Sequence, residues 1–439
     1  MLMESNQSPA FISRLIPLLA VACGLLIANL YFVQPIADLA AADFRMARQQ
    51  AGLLTTLPLA GYGIGLLLMV PLGDLVENRR LILVMMATEA ICLALLWCAS
   101  QPGLFLGIGF ISGVSASAIQ IIMPYVSQLL PAERQGRAVA KLVSGVMLGI
   151  MLARPASSFV ADKLAWRSVF LIAAALMALM TAVLFISLPI RRPSGAQTYG
   201  ELMRSMGDIF RKTEILRRRA YYHAAMFGSF ISFWTAVPLW LAEAPFNLSQ
   251  RGIAWVALAG VAGAIAPPIA SGLVDRGYGR SVTAGAMMLA ILAYGATLLA
   301  SRGNVTIVVL AAIVLDGAVA ANLVFGQRAI YALAPEKRGR MNALYIAVFF
   351  GGGSAAAAIA AWSFVHFDWP GVVILGVLLP LSALLYSLSD KTGPGSADAE
   401  PPKAASVAIC AALFRGRLRS DASHPKRRLQ SGQPGPHCP

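Results

Sequence analysis

Three ionisable residues stand where charge is costly. Glu89, Arg154 and Asp316 each lie inside a long apolar stretch of the chain. A charged side chain at the centre of a membrane helix costs about 2.5–3.5 kcal/mol on insertion scales, so such residues face protein or water, not lipid. Burial disfavours the ionised form of a carboxylate, which suits a group that takes up and releases a proton; a neighbouring arginine opposes that effect. Glu89 and Asp316 are therefore candidates for proton coupling, with Arg154 as their partner or as a contact for an anion. A structural intrahelical polar pair accounts for the same residues.

A second set is amphipathic. Asn29, Tyr31, Gln34, Gln120, Trp234, Asn322 and Gln327 interrupt apolar stretches, and they are the candidates to line a chamber for a small, moderately hydrophobic solute. Pro35, Pro124, Pro155, Pro238 and Pro267-Pro268 can kink helices and free carbonyls there. The five cysteines and four histidines lack the repeated spacing of a metal site. No nucleophile–base pair or phosphate-cradling loop stands in the context its chemistry needs, so no enzyme, cofactor or metal is expected.

Composition dictates the elements that hold these residues. Of 439 residues, 58% are hydrophobic and 13% charged, whereas soluble domains carry about 25% charged residues. A bilayer core is crossed by roughly 20 apolar residues. Such stretches run near 15–39, 51–73, 80–99, 103–129, 138–162, 166–189, 220–242, 251–274, 281–300, 304–333, 342–365 and 369–389. Backbone groups in lipid must be bonded internally, and the blocks lack the alternation of barrel strands. The expected fold is an all-α integral membrane protein with twelve transmembrane helices. The 15–39 stretch is too long for a signal peptide and reads as the first span.

The net charge of +15 lies mostly between apolar blocks and in the tail, so lipid, not nucleic acid, is the expected partner. Eighteen Lys and Arg residues fall on one side of the spans, from Arg79 and Arg80 to Lys337, Arg338 and Arg340, against six on the other. That imbalance puts the first side and both termini in the cytoplasm. Residues 1–14 then form a cytoplasmic N-terminus, 15–189 and 220–389 two six-helix bundles, and 190–219 a basic linker with an amphipathic helix over 199–216. Residues 390–439 are basic and rich in Pro, Gly and Ser, a composition that reads as a disordered tail.

The two halves repeat. Gly52 through Asp74, with Arg79 after it, parallels Gly252 through Asp275, with Arg280 after it. Glu133, Gly136, Arg137, Gly149 and Trp166 recur 203 residues later as Glu336, Gly339, Arg340, Gly352 and Trp369. Parallel six-helix repeats mark transporters whose halves rock around a central site. Gly145, Gly149, Ala153 and Ser157 place a small residue at every fourth position, a face for close helix approach. Arg154 lies about 100° round from Ala153, so the stripe and the charge are expected to meet different neighbours.

These motifs carry a family resemblance. Leu72-Gly73-Asp74 with Arg79 and Arg80, and Leu273-Val274-Asp275-Arg276 with Arg280, resemble the loop motif of the major facilitator superfamily. The departures are Val70 and Ser271 in place of the first glycine, and Leu75 and Glu77 where Arg and Gly are common. Leu130 through Arg137 resembles the family's loop between spans four and five, and Gly145, Gly149, Arg154 and Pro155 its antiporter glycine motif. Asn29 through Pro35 and Phe233-Trp234-Thr235 are similar to a bacterial drug–proton antiporter branch. The resemblance covers about residues 15–389. It implies a monomeric inner-membrane carrier that exchanges a small solute for protons, with Gly73, Asp74, Arg79, Arg80, Glu133, Arg137, Asp275, Arg276, Arg280, Glu336 and Arg340 in a cytoplasmic gate. An importer on the same scaffold, or a transporter-like sensor, shares these features.

Overall fold

The computed structural model of the chain describes residues 9–193, 198–265, 279–333 and 338–389. Asp275, Arg276, Glu336, Pro267-Pro268 and the 390–439 tail lie outside the described residues, as does the side chain of Arg280.

Among the described residues every regular element is helical. The first six spans are built from α1 (Pro9–Ala28), α2 (Ala37–Asp43), α3 (Arg48–Leu68), α4 (Asn78–Cys98), α5 (Pro102–Ala116), α6 (Ile119–Gln128), α7 (Ala132–Lys163) and α8 (Ser168–Ser187). Helix α9 (Tyr199–Lys212) follows, then α10 (Glu214–Ala242), α11 (Gln250–Gly260), α12 (Gly279–Thr297), α13 (Val305–Leu333) and α14 (Arg338–Leu388).

Nine helical runs among the described residues are long and apolar enough to cross a membrane, the longest being Gly339–Leu388 at 50 residues. At about 1.5 Å per residue that run would reach about 75 Å, far more than a core of about 30 Å. Asp368, with φ 50° and ψ −154°, breaks it into two spans. Helices α1 and α11 begin the remaining two, so the twelve-helix expectation holds. Ile91, Leu179, Leu292 and Ile374 are exposed on the outer surface, an arrangement stable where lipid is the solvent.

Small residues set the helix spacing. The stripe read from the sequence packs on α1: a Cβ on Gly24 would stand 2.8 Å from the Gly145 carbonyl oxygen, and one on Gly149 would stand 2.8 Å from the Gly24 Cα. Further along, the Ser157 hydroxyl donates to the Phe32 carbonyl at 2.6 Å. The second half repeats the contact, since a Cβ on Gly352 would meet the Ala224 Cβ at 3.0 Å, bringing α14 onto α10. The sequence offset of 203 residues is thus also a packing offset.

The two halves touch along α3 and α14. Ser354 donates to the Thr56 carbonyl at 3.0 Å, and the Tyr62 and Phe350 rings meet at 4.4 Å. Phe159 of α7 and Trp255 of α11 make a second contact between the halves.

The linker helix is shorter than its amphipathic pattern. It ends at Lys212 because Thr213 is extended, and Leu216 belongs to α10. Thr198 caps it: its hydroxyl accepts from the Glu201 N–H at 3.3 Å, while the Glu201 carboxylate accepts from the Thr198 N–H at 2.7 Å. Leu202, Met206 and Ile209 form its buried face. The Tyr199 hydroxyl donates to the Leu68 carbonyl at 3.1 Å, and Arg340 donates to Ser205 at 2.8 Å, so α9 straps the end of α3 to the start of α14.

Candidate functional site

The first span is not one rod. After Ala28 it passes through turns and a short 3-10 segment, Gln34–Ile36, before α2 resumes. Pro35 has no N–H to continue a helix there. The break aims side chains only a few residues apart at two separate clusters.

One cluster surrounds Glu89, which is fully buried. Its Oε1 accepts from Asn29 Nδ2 at 2.7 Å and from Ser112 Oγ at 2.8 Å, while Oε2 has no partner. A cavity of about 20 Å³ lies against Asn29 and Ser112, walled mainly by Val33, Pro58, Leu96 and Phe105. It is large enough for one water.

The other cluster surrounds Arg154, also buried. Its Nε donates to Gln34 Oε1 at 2.8 Å. The guanidinium carbon lies 4.9 Å from the centres of the Tyr31 and Phe230 rings and 4.6 Å from that of Trp234. Ring faces attract a desolvated cation by about 2 kcal/mol or more, which offsets part of the cost of holding this charge away from water. Asp316 stands on the far edge of Trp234, whose indole N–H donates to Asp316 Oδ1 at 2.9 Å. Gly260 and Gly263 make room for it: a Cβ on Gly260 would stand 3.0 Å from Asp316 Oδ2. Arg154 and Asp316 are thus linked through one indole, and Glu89 belongs to a different cluster.

The expectation that the glycine stripe and Arg154 serve different neighbours holds only in part. Phe230 and Trp234 are new neighbours, but Gln34 and Tyr31 continue the segment that the stripe packs against. The break after Ala28 turns that segment round α7 onto the face bearing Arg154.

Of the other chamber candidates, Gln120 and Gln327 meet at Asn342, which donates to Gln120 at 3.2 Å and accepts from Gln327 at 3.5 Å. Asn322 instead pairs with His223 at 3.0 Å inside the second half. In the loop motif, Asp74 is exposed, with no basic nitrogen within 4.0 Å among the described residues. The loop is held by Asn78, which donates to the Gly73 carbonyl at 2.6 Å and accepts from Arg191 at 2.7 Å. Arg79 donates to the Phe185 carbonyl at 2.6 Å, and Arg80, Glu133 and Arg137 are exposed or partly so.

Sequence reasoning missed Phe230, Ser112, Asn78, Asn342 and His223. Phe230 was within reach, because it lies one helical turn before Trp234 and shares its face. Ser112 and Asn342 carried no local signal.

A model of the Major Facilitator Superfamily matches residues 19–243 and 220–422. An uncharacterized transporter of Escherichia coli O157:H7, YgaY, is 34% identical over 372 residues, 84% of this chain and 94% of that protein. The probable transporter SCO4007 of Streptomyces coelicolor is 28% identical over 359 residues, 81% and 83% of the two chains. Among solved structures, the nucleoside transporter NupG superposes with a TM-score of 0.66 at 14% identity, covering 86% of this chain and all of that one. A bacterial homolog of the human lysosomal transporter Spinster gives 0.63, also at 14%, over 87% and 95%. At such identities these structures report the fold.

Proposed function

This chain belongs to the major facilitator superfamily and is a multi-pass membrane transporter, not an enzyme, and we propose that it exports a small solute in exchange for protons by alternating access. One observation carries the reading. The Arg154 cluster is composite, with Tyr31, Gln34 and Arg154 from residues 15–189 and Phe230, Trp234 and Asp316 from residues 220–389. Rocking the two bundles about the 190–219 linker parts these side chains and opens the chamber to one side at a time.

In this reading the solute occupies the chamber at Arg154, and the proton rides on Glu89. The broken segment 29–36 is the mechanical link, since it sends Asn29 to Glu89 and Gln34 to Arg154. A solute that draws Gln34 aside shifts Asn29 and alters the hold on Glu89, which makes solute and proton alternate. Asp316, beside the chamber, is the second candidate for the proton. The resemblance to the drug–proton antiporter branch supports the outward direction. The distribution of Lys and Arg supports cytoplasmic termini, and the bacterial relatives support an inner membrane.

Everted vesicles with an acidic lumen test this directly. A wild-type exporter loads such vesicles against a solute gradient, whereas Glu89→Gln equilibrates the solute without concentrating it. Uphill loading retained by both Glu89→Gln and Asp316→Asn refutes proton exchange at these carboxylates.

A further inference from the structure

The polar atoms left over around Arg154 can all donate. Arg154 is 3% exposed, and its Nη2 has no acceptor. Gln34, 1% exposed, spends its oxygen on Arg154 and leaves Nε2 unpartnered, and Tyr31, fully buried, leaves Oη unpartnered. No carboxylate oxygen lies within 4.0 Å of the guanidinium among the described residues, and Asp316, whose charge acts on it, is turned to Trp234. Buried polar groups of native proteins are ordinarily satisfied. A guanidinium serving the fold alone would close its fork on a carboxylate or on carbonyls. Here two groups in contact with it withhold donors as well.

We propose that the transported solute is a small monocarboxylate with a flat apolar body. This rests on the reading of the Arg154 chamber as the solute site. A carboxylate is planar and offers two oxygens, which matches the guanidinium fork, and it can also accept from Gln34 Nε2 and Tyr31 Oη. The rings of Tyr31, Phe230 and Trp234 lie against the guanidinium and offer flat apolar surface to such a body. Asp316, fixed behind Trp234, repels a second negative group, so the solute carries a single one. An amine in the same place would meet Arg154 as a like charge, and a neutral amide would supply only one oxygen.

The experiment uses the purified full chain and matched triples of probes: benzoate, benzamide and benzylamine, then 2-naphthoate, 2-naphthamide and 2-naphthylmethylamine. Binding is read as ligand-dependent thermal stabilisation in detergent, and carriage as counterflow in proteoliposomes. In at least one triple the carboxylate binds 10-fold or more tightly than the amide, and the amine does not stabilise. Arg154→Gln, checked for monodispersity, loses the carboxylate preference, and Arg154→Lys retains part of it. Tyr31→Phe, which keeps the ring and removes only Oη, weakens the carboxylate 3-fold or more and leaves the unliganded melting temperature unchanged. The proposal is overturned if no carboxylate binds, if an amide or amine binds as well, or if folded Arg154→Gln keeps the preference. Carboxylate binding through Arg154 without counterflow sinks the transport reading and spares the solute class. Counterflow of an amine that ignores Arg154 does the reverse.

Discussion

Gly149→Ala tests how far the site depends on helix spacing. The added Cβ would lie 2.8 Å from both the carbonyl carbon and the Cα of Gly24, and closer still to the carbonyl oxygen. Comfortable carbon–carbon contact begins near about 3.5 Å, so α1 and α7 must part by about 0.7 Å or more. Overpacking of this kind costs about 1–3 kcal/mol. Carried in full into segment 29–36, the same movement would stretch the 2.8 Å bond from Arg154 to Gln34 to about 3.5 Å, the limit of a useful hydrogen bond. A bond to a charged group contributes about 1.5–3 kcal/mol, so the combined loss reaches about 2.5–6 kcal/mol if both effects are felt in full. Gly107→Ala is the control, since a Cβ there meets nothing within 4 Å. Unfolding in detergent, with transport measured alongside, should show a large loss for Gly149→Ala and little change for Gly107→Ala. Equal stability of the two variants, with transport intact, would mean that backbone contact between α1 and α7 does not position Arg154.

Other expectations are local. Asn29→Ala removes one of two donors to Glu89 and should weaken proton-driven loading while solute binding at Arg154 persists; a vesicle assay with and without a pH gradient separates the two. Asn78→Ala removes the tie between Gly73 and Arg191 and should cost about 1–3 kcal/mol in denaturant unfolding. Asp74→Asn, an exposed position, should stay within about 0.5 kcal/mol of wild type. Thr198→Ala deletes the cap of α9 and should loosen it by about 1 kcal/mol, visible as faster amide exchange over residues 199–205.

Much of the architecture was legible because lipid is a simple solvent. Twelve apolar stretches had to be helices, and the recurrence of Glu133, Gly149 and Trp166 at one offset announced two like halves. Gly145, Gly149 and Ser157 declared a packing face, since small residues on one helical row have few other uses. Glu89, Arg154 and Asp316 were conspicuous because each is costly in lipid.

Their partners were not legible. Periodicity tells which residues share a face of one helix, but not which helix that face meets across 82 or 120 positions, as in Trp234 to Asp316 and Arg154 to Gln34. The break after Ala28 sends Asn29 and Gln34 to different clusters, an outcome that depends on how α1, α4 and α7 are spaced. Residue types alone thus determined a duplicated helical membrane protein with three costly charges inside it. Tertiary packing decided that Glu89 stands apart, and that Arg154 and Asp316 face each other across Trp234 at the junction of the halves, because only the assembled bundle brings such distant residues within hydrogen-bond reach.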